Sequence, residues 1–178
     1  MKKCHLNKYL SIITLNVNGL NAPIKRHRRA KCIRKHDPHI WCLQETHLRT
    51  KDIHRLKVKS WKQIFQANGQ EEIAGVAILI SDKIDFKRRA IKRDPEGHFI
   101  IVKRRIHQED INIVNIYAPN IRAAKYIKKI LEDFKKDIDS NTIIVGDFNT
   151  PLSKMDRSSK QNINKDIVAL NKALDEME

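Results

Sequence analysis

The sequence contains few of the residues that define fibrous, low-complexity or disulfide-rich proteins. It has five glycines and five prolines among 178 residues, which excludes collagen-like and low-complexity chains. Its three cysteines, Cys4, Cys32 and Cys42, are an odd number without metal-ligand spacing, so we expect reduced thiols in an intracellular protein. The longest apolar run, Val76–Ile80, is far too short to cross a bilayer, and we predict no membrane partner.

The residues that are present are typical of one soluble globular domain. Hydrophobic residues make up 40% of the sequence and charged residues 32%, whereas a disordered chain would have fewer apolar runs. No internal repeat, linker or low-complexity tract divides the chain. We therefore predict a single domain over residues 1–178.

The charge of the chain is strongly positive and unevenly distributed. The formal net charge is +15, and residues 1–60 carry fifteen basic and three acidic side chains, a net charge of +12. A basic concentration of this size is the usual electrostatic signature of a nucleic-acid partner. The alternative is a surface that only keeps the protein soluble, and charge by itself indicates no chemistry.

The hydrophobic pattern predicts strands that alternate with helices. Apolar residues at helical spacing predict helices over Ala123–Ile138 and Ile163–Met177. A third, basic and moderately helical segment covers Ile24–His36 and is stopped by Asp37–Pro38. Short apolar runs predict strands, two of which flank the turn at His107–Asp110 as a hairpin. The predicted strands are Leu10–Leu15, Ile40–Leu43, Trp61–Gln66, Gly75–Ile80, Phe99–Ile106, Ile111–Tyr117 and Thr142–Val145. Helices packed outside a sheet, in an α/β or α+β sandwich, would accommodate this order.

Four short segments place polar side chains directly after an apolar strand. They are TLNVNG from Thr14, CLQETH from Cys42, NIYAPN from Asn115 and GDFNTP from Gly146. Strand ends are where rigid folds present reactive groups. Each segment alone has an ordinary interpretation, since Asp and Asn favour turns and a tyrosine is usually a core or edge residue. Those interpretations do not explain why all four occur together in this order.

In this order the four segments resemble the endonuclease/exonuclease/phosphatase superfamily, which includes exonuclease III, the apurinic/apyrimidinic endonucleases and DNase I. Asp37–Thr46 (DPHIWCLQET) closely resembles the metal-site signature of that superfamily. The motifs TLNVNGLN, QETHL, AGVAILIS, NIYAPN and GDFNTPL are similar to the endonuclease domain of LINE-type retrotransposons, which forms the N-terminus of the second open reading frame's polyprotein. The resemblance extends from about Ile12 to Met177.

The resemblance implies a fold and a reaction. The fold would be a four-layered α/β/β/α sandwich of the DNase I-like type, with the active site at one end of two packed sheets. The reaction would be Mg²⁺-dependent hydrolysis of a DNA phosphodiester, with Mn²⁺ as a second usable ion. The substrate would be double-stranded DNA, without an obligate protein partner, and a DNA substrate suggests a nuclear location.

The resemblance also implies roles for individual residues. Glu45 would be the main metal ligand, and Asn16 would position the metal or the scissile phosphate. Asp147 would orient or deprotonate the attacking water, Asn149 would donate to the charge that develops on the phosphoryl group, and Tyr117 would contact the phosphate through its hydroxyl. The residues expected to bind substrate are Thr150 and four basic side chains, Arg26, Arg28, Arg29 and Lys31.

The sequence departs from the family pattern after the fourth motif. Family members supply a later Asp and a terminal Ser-Asp-His motif, which complete the site. In this sequence Ser81 and Asp82 form the only Ser-Asp pair and precede Lys83, and all eight histidines precede Tyr117. We therefore expect a domain truncated before its C-terminal part, with a shallow site and little or no turnover.

Three other hypotheses stay open at this stage. The chain could be a basic DNA-binding remnant that binds phosphates without cutting, as the net charge of residues 1–60 would allow. It could also be an unstable relic of a decayed element. Within the superfamily, an apurinic-site repair enzyme and a lipid-phosphate phosphatase are further alternatives.

The basic surface yields a first prediction, about DNA affinity. If Lys and Arg side chains between Ile24 and Lys35 contact the DNA backbone, each neutralised phosphate releases a counterion, so affinity should fall steeply as salt rises. We expect no strong base preference from these residues. The measurement is the dissociation constant across a salt series, and a nearly flat plot of log affinity against log salt would contradict backbone binding.

Overall fold

The computed structural model describes residues 10–69, 74–106, 109–152, 156 and 164–176. Within these residues, three α-helices are α1 (Pro23–His36), α2 (Ala123–Asp133) and α3 (Lys165–Asp175), and a 3₁₀ helix covers Thr50–Leu56. The strands are β1 (Ile12–Asn16), β2 (Ile40–Gln44), β3 (Gln63–Ala67), β4 (Val76–Ile80), β5 (Phe86–Arg93), β6 (Phe99–Ile106), β7 (Glu109–Tyr117) and β8 (Thr142–Asp147). None of the described helices is long and apolar enough to span a bilayer.

The strands form two four-stranded sheets, and each sheet contains one parallel pair. The first sheet has the order β1-β2-β4-β3 and the second has the order β5-β6-β7-β8. β1 runs parallel to β2 and ends with Asn16 opposite Gln44, while β7 runs parallel to β8 and ends with Tyr117 opposite Asp147. Because parallel strands end at the same edge of a sheet, each pair delivers two polar side chains to one place.

The two sheets pack face to face, and the helices cover their outer faces. Along β2, Ile40 and Cys42 belong to the core shared by both sheets, whereas Trp41 and Leu43 pack with Ile33 of α1. This alternation follows from the two-residue period of a strand, and it leaves every residue of β2 buried. On the opposite side, Ile130 of α2 packs on the second sheet. The predicted four-layered α/β/β/α order is confirmed.

Several element boundaries differ from the sequence-based prediction. β1 and β8 extend to Asn16 and Asp147, so these residues end their strands rather than following them. β5 was not predicted, because an edge strand rich in exposed Lys and Arg carries no apolar run. α2 ends at Asp133, although Ile138 still packs in the core. The predicted ends of the last helix, Ile163 and Met177, lie outside the described residues.

The described cysteines agree with the expectation of reduced thiols. Cys32 and Cys42 are both free, and burial raises the pKa of the Cys42 thiol to about 12. Cys42 is therefore an inert residue of the core between the sheets. Cys4 lies outside the described part of the chain.

A pair of buried amides connects the two sheets near the ends of β2 and β7. Gln44 Nε2 donates to Asn115 Oδ1 at 2.6 Å, and Asn115 Nδ2 donates to the carbonyls of Leu43 and Ala77 at 3.0 Å each. Asn115 is fully buried. Because buried amides are costly unless they are hydrogen-bonded, this contact favours one alignment of the sheets.

We therefore predict that Asn115→Ala lowers the free energy of unfolding by at least about 2 kcal/mol, because it leaves the buried Gln44 amide and two carbonyls without this partner. The control is Asn141→Ala at an exposed turn position, for which we expect a change within about 0.5 kcal/mol. Urea unfolding of both variants measures the difference. Equal midpoints for the two variants would show that the amide pair does not stabilise the sandwich.

Candidate active site

The ends of β1, β2 and β8 bring two carboxylates to one amide group. Asn16 Nδ2 donates to Glu45 Oε1 at 2.8 Å and to Asp147 Oδ2 at 2.7 Å. The two carboxylate oxygens therefore lie no more than about 5.5 Å apart. A Mg²⁺ ion with its waters and a phosphate spans about 10 Å at most, so the gap suits such a bridge. The convergence expected from the strand ends is found in the fold.

The backbone around Glu45 is held in an unusual conformation. Glu45 has a φ of 53°, in the left-handed region, and its carbonyl accepts from the Gly19 N–H at 2.7 Å. Asn16 Oδ1 accepts from the Asn18 N–H at 3.0 Å, which turns the Asn16 amide nitrogen toward the carboxylates. Asn16 is thus placed as a hydrogen-bond donor, and its predicted contribution to metal binding stays a prediction.

Asp147 is positioned by its two neighbours in the GDFN segment. Gly146 has a φ of 148°, and a Cβ atom there would lie 1.9 Å from the Ile116 carbonyl oxygen, so only glycine fits. Asp147 Oδ1 accepts from the Asn149 N–H at 3.2 Å. Asn149 Nδ2 in turn donates to the Ala118 carbonyl at 2.7 Å, which ties the exposed end of the segment to the strand beside it.

The hydroxyl of Tyr117 faces the two carboxylates. The side chain is 8% exposed, and its ring stacks on His98 with centroids 5.8 Å apart. Burial, a hydrogen bond to Glu45 and the negative charges of Glu45 and Asp147 raise the pKa of Tyr117 to about 12. The phenol therefore stays protonated near neutral pH and donates its hydrogen to Glu45.

An open cleft of about 600 Å³ lies at this end of the sandwich. It includes Thr150, and the described residues that line it are Thr14, Leu15, Asn16, Gln44, Gly146, Asp147, Phe148, Asn149, Thr150, Pro151, Leu152 and Asp156. No Lys, Arg or His occurs in this lining. We expected Asn16, Glu45, Tyr117, Asp147 and Asn149 to line one pocket, but Glu45 and Tyr117 are not part of this lining. Among the described residues no three His, Cys, Asp or Glu side chains cluster as a metal cage. Carboxylate oxygens from Glu45 and Asp147 nevertheless fit Mg²⁺, which usually binds one or two carboxylates and keeps several waters.

The four basic residues expected to bind substrate do not line the cleft. Arg26 donates to the carbonyl of Leu20 at 2.8 Å and also to that of Asn21, so it braces the loop before α1. Arg26 and Arg29 border a separate crevice between α1 and the 3₁₀ helix. Arg28 and Lys31 are exposed on α1. The structure therefore groups the carboxylate, amide and tyrosine residues and keeps these cations apart from them.

Sequence reasoning did not assign roles to several residues of this region. Gln44 and Asn115 were within quoted motifs, but nothing in a single sequence shows that they contact each other. His47, from the QETHL motif, lies with Nε2 3.5 Å from Glu45 Oε2. Lys25 reaches back from α1 and donates to the Asn18 carbonyl at 2.6 Å. The sequence did contain a signal for Lys25, because this basic residue stands in the first turn of a predicted helix and the helix follows the polar Asn16–Gly19 loop.

Comparison with known proteins gives the same family as the sequence motifs. The model of the endonuclease/exonuclease/phosphatase family matches residues 13–174. The chain belongs to this family. The family resemblance found from the motifs is thus confirmed. The superfamily to which the chain belongs includes nucleases and phosphodiesterases.

Relatives of this endonuclease/exonuclease/phosphatase chain include a transposon protein. An uncharacterized 149 kDa protein of transposon TX1 from Xenopus laevis is 29% identical over 154 residues, which cover 84% of this chain and 12% of that protein. The chain thus spans about an eighth of that relative's length.

Two solved structures are similar in fold. An AP endonuclease from Archaeoglobus fulgidus has a TM-score of 0.67 at 22% identity, covering 95% of this chain and 71% of that one. The endonuclease domain of TRAS1, a telomere-specific non-LTR retrotransposon, has a TM-score of 0.66 at 14% identity, with the same coverage of 95% and 71%. At these identities the likeness shows the fold.

The environment of Tyr117 yields a titration prediction. We expect Tyr117 to ionise near pH 12, and Glu45→Gln to lower that pKa, because the negative charge of Glu45 would be gone while that of Asp147 remains. The pKa should stay above about 10, the value of a free tyrosine, since burial remains as the largest cause. The measurement is the ultraviolet phenolate signal that is lost in Tyr117→Phe.

The same shift has a consequence for stability. Because the folded pKa exceeds the unfolded value, the folded state holds its proton longer, and this contribution to stability is complete below about pH 10 and is lost as pH rises toward 12. Unfolding free energies above pH 10 should therefore fall less in Tyr117→Phe than in the wild-type chain. A Tyr117 pKa near 10 would contradict the placement of its hydroxyl.

Proposed function

We propose that this chain is a metal-dependent DNA phosphodiester hydrolase of retrotransposon origin, an endonuclease related to exonuclease III that nicks double-stranded DNA. The observation that carries the proposal is the Asn16 amide, which holds the carboxylates of Glu45 and Asp147 within about 5.5 Å at one end of the sandwich. Two carboxylates, a protonated tyrosine and amide donors lie together at this end of the sandwich, where Asn16, Asp147 and Asn149 line the open cleft. Such a set is suited to phosphoryl chemistry.

Glu45, with Asp147 beside it, would hold Mg²⁺ or Mn²⁺. A bound divalent ion would supply Lewis-acid stabilisation of the phosphoryl oxygens. The support is the donor set itself, because carboxylate oxygens are the hard ligands that Mg²⁺ prefers. Asn16 would keep both carboxylates oriented and would assist in positioning the phosphate.

The remaining residues have separate tasks in the proposed reaction. Asp147 would orient the attacking water and accept its proton, because its carboxylate is fixed from two sides by Asn16 and Asn149. Tyr117 would donate to a phosphate oxygen, for which its raised pKa keeps the proton in place. Asn149 and Thr150 would donate to the phosphate from the cleft wall.

DNA is proposed as the substrate on electrostatic grounds. α1 contains no acidic residue, and Arg28 and Lys31 lie exposed on it, where they could contact a phosphate backbone. Arg26 and Arg29 would add to the positive potential of the same helix. A fold neighbour, D. rerio TDP2, was solved as a complex with a single-strand DNA product, at 17% identity and a TM-score of 0.62. The nuclear location that we propose for this chain rests on the proposed DNA substrate alone.

We also propose that turnover by this chain alone is slow. Hydrolysis needs a group that stabilises or protonates the departing oxygen. The described lining of the cleft offers no imidazole or cationic side chain for that task, and His47 faces Glu45 from outside this lining. The wide opening of the cleft also admits water, which weakens electrostatic stabilisation of the transition state.

The test is nicking of supercoiled DNA by the purified chain. We expect slow nicking with Mg²⁺, none with EDTA, and at least about a 100-fold lower rate for Asp147→Ala, since one lost group that stabilises a transition state commonly costs that much. The control is Asp85→Ala, which removes the same charge at an exposed position and should leave the rate unchanged. Nicking that persists in EDTA or in Asp147→Ala would refute the proposed site.

A second candidate function is DNA binding without cleavage. It is favoured by the net charge of +12 over residues 1–60, together with the absence of basic side chains from the described cleft lining. Salt-dependent DNA binding with no Mg²⁺-dependent nicking at high protein concentration would support it over the first candidate.

A further inference from the structure

The imidazole of His47 faces the side of Glu45 that Asn16 leaves open. Glu45 Oε1 accepts from Asn16 at 2.8 Å, whereas Oε2 lies 3.5 Å from His47 Nε2. This ring nitrogen is buried and has no hydrogen-bond partner among the described residues. Each oxygen of the Glu45 carboxylate therefore faces a different nitrogen.

The backbone fixes where the His47 ring lies. His47 has a φ of 53°, and its N–H donates to the Ala74 carbonyl at 2.9 Å. On the other side of the ring, a Cβ atom on Gly19 would be 3.0 Å from His47 Nδ1, so glycine leaves room for the imidazole. The N–H of Gly19 also donates to the Glu45 carbonyl, which joins the three residues into one unit.

A proton on this buried nitrogen needs an acceptor, and Glu45 Oε2 faces it at 3.5 Å. We propose that His47 is a positioning residue for Glu45: its Nε2–H donates to Oε2 and holds the carboxylate with Oε1 toward Asn16. Hydrogen bonds to a ligating carboxylate set its orientation toward a metal. The effect on metal binding rests on the proposed function, whereas the contact between His47 and Glu45 does not.

Two amide variants separate positioning from packing. The amide nitrogen of His47→Gln reaches the place of Nε2, whereas that of His47→Asn reaches only the place of Nδ1. Asn tolerates the left-handed backbone at this position better than Gln does. If His47 positions Glu45, His47→Gln should bind metal more tightly than His47→Asn. If His47 matters only for stability, His47→Asn should do at least as well as His47→Gln.

The first measurement is Mn²⁺ affinity without DNA, by electron paramagnetic resonance, together with thermal melting. We expect His47→Asn to weaken Mn²⁺ binding by about 10-fold and His47→Gln to stay close to wild type, while the melting temperature of the Asn variant equals or exceeds that of the Gln variant. Wild-type affinity in His47→Asn, or affinities that follow the melting temperatures, would overturn the proposal because the ring would then serve only packing.

The second measurement needs neither metal nor activity. Nitrogen-15 NMR of the imidazole in the wild-type chain should show the Nε2-protonated tautomer, with a shift of that resonance in Glu45→Ala. Asp147→Ala is the matched control, since it removes the carboxylate that does not face His47. An Nδ1-protonated ring, or equal responses to both variants, would overturn the proposal. If the wild-type chain binds no Mn²⁺, the proposed function fails, and this measurement still decides the role of His47.

Discussion

The arrangement of the site depends on the buried amide contact between Gln44 and Asn115. Gln44 immediately precedes Glu45, and Asn115 is two residues before Tyr117, so one hydrogen bond of 2.6 Å fixes the two sheets next to their functional ends. A sandwich held only by Ile and Val side chains could slide at little cost, whereas displaced buried amides would lose their partners. The carboxylates can converge on Asn16 because the sheets are aligned in this way.

Residues with a left-handed backbone conformation are concentrated at the end of the sandwich that carries the candidate site. Four described non-glycine residues there have positive φ, namely Asn18 (45°), Glu45 (53°), His47 (53°) and Asn149 (45°). Each such residue costs free energy that the surrounding contacts must offset. The offset comes from backbone hydrogen bonds such as Gly19 N–H to Glu45 O and His47 N–H to Ala74 O. The folded core thus supplies the stability that keeps these side chains directed at one another.

The sequence predicted those parts of the fold that have a strong local signal. The buried runs of β2 and β4 and the helical spacing of α2 identified their elements, and the motif order identified the four-layered family fold. β5 was missed because charged residues dominate an edge strand. α2 was drawn too long because Ile138 continues the apolar period, although in the fold it packs from beyond the helix. The spacing of apolar residues indicates which residues are buried, and a residue can be buried without belonging to a helix.

The candidate site could be predicted as a set of residues but not as a set of contacts. The strand-end motifs contained Asn16, Glu45, Tyr117, Asp147 and Asn149, and the structure brings them together. Their partners depend on which strands lie side by side, which a single sequence does not reveal. For that reason the Asn16 amide was expected near a metal or phosphate, whereas in the fold it bridges two carboxylates. Arg26 was expected at the substrate and instead braces the loop before α1.

The basic side chains of α1 lie apart from the carboxylates of the site, and competition between carboxylates and phosphates for these cations explains why. Lysine or arginine inside the cleft would pair with Glu45 or Asp147 and neutralise the carboxylates that would bind a divalent cation. The exposed Arg28 and Lys31 of α1 can instead meet phosphates from solution. The two carboxylates, at most about 5.5 Å apart, repel each other, and the shared Asn16 amide offsets only part of that repulsion. In the proposed reaction a divalent cation would offset more of this repulsion, because it places two positive charges between the carboxylates.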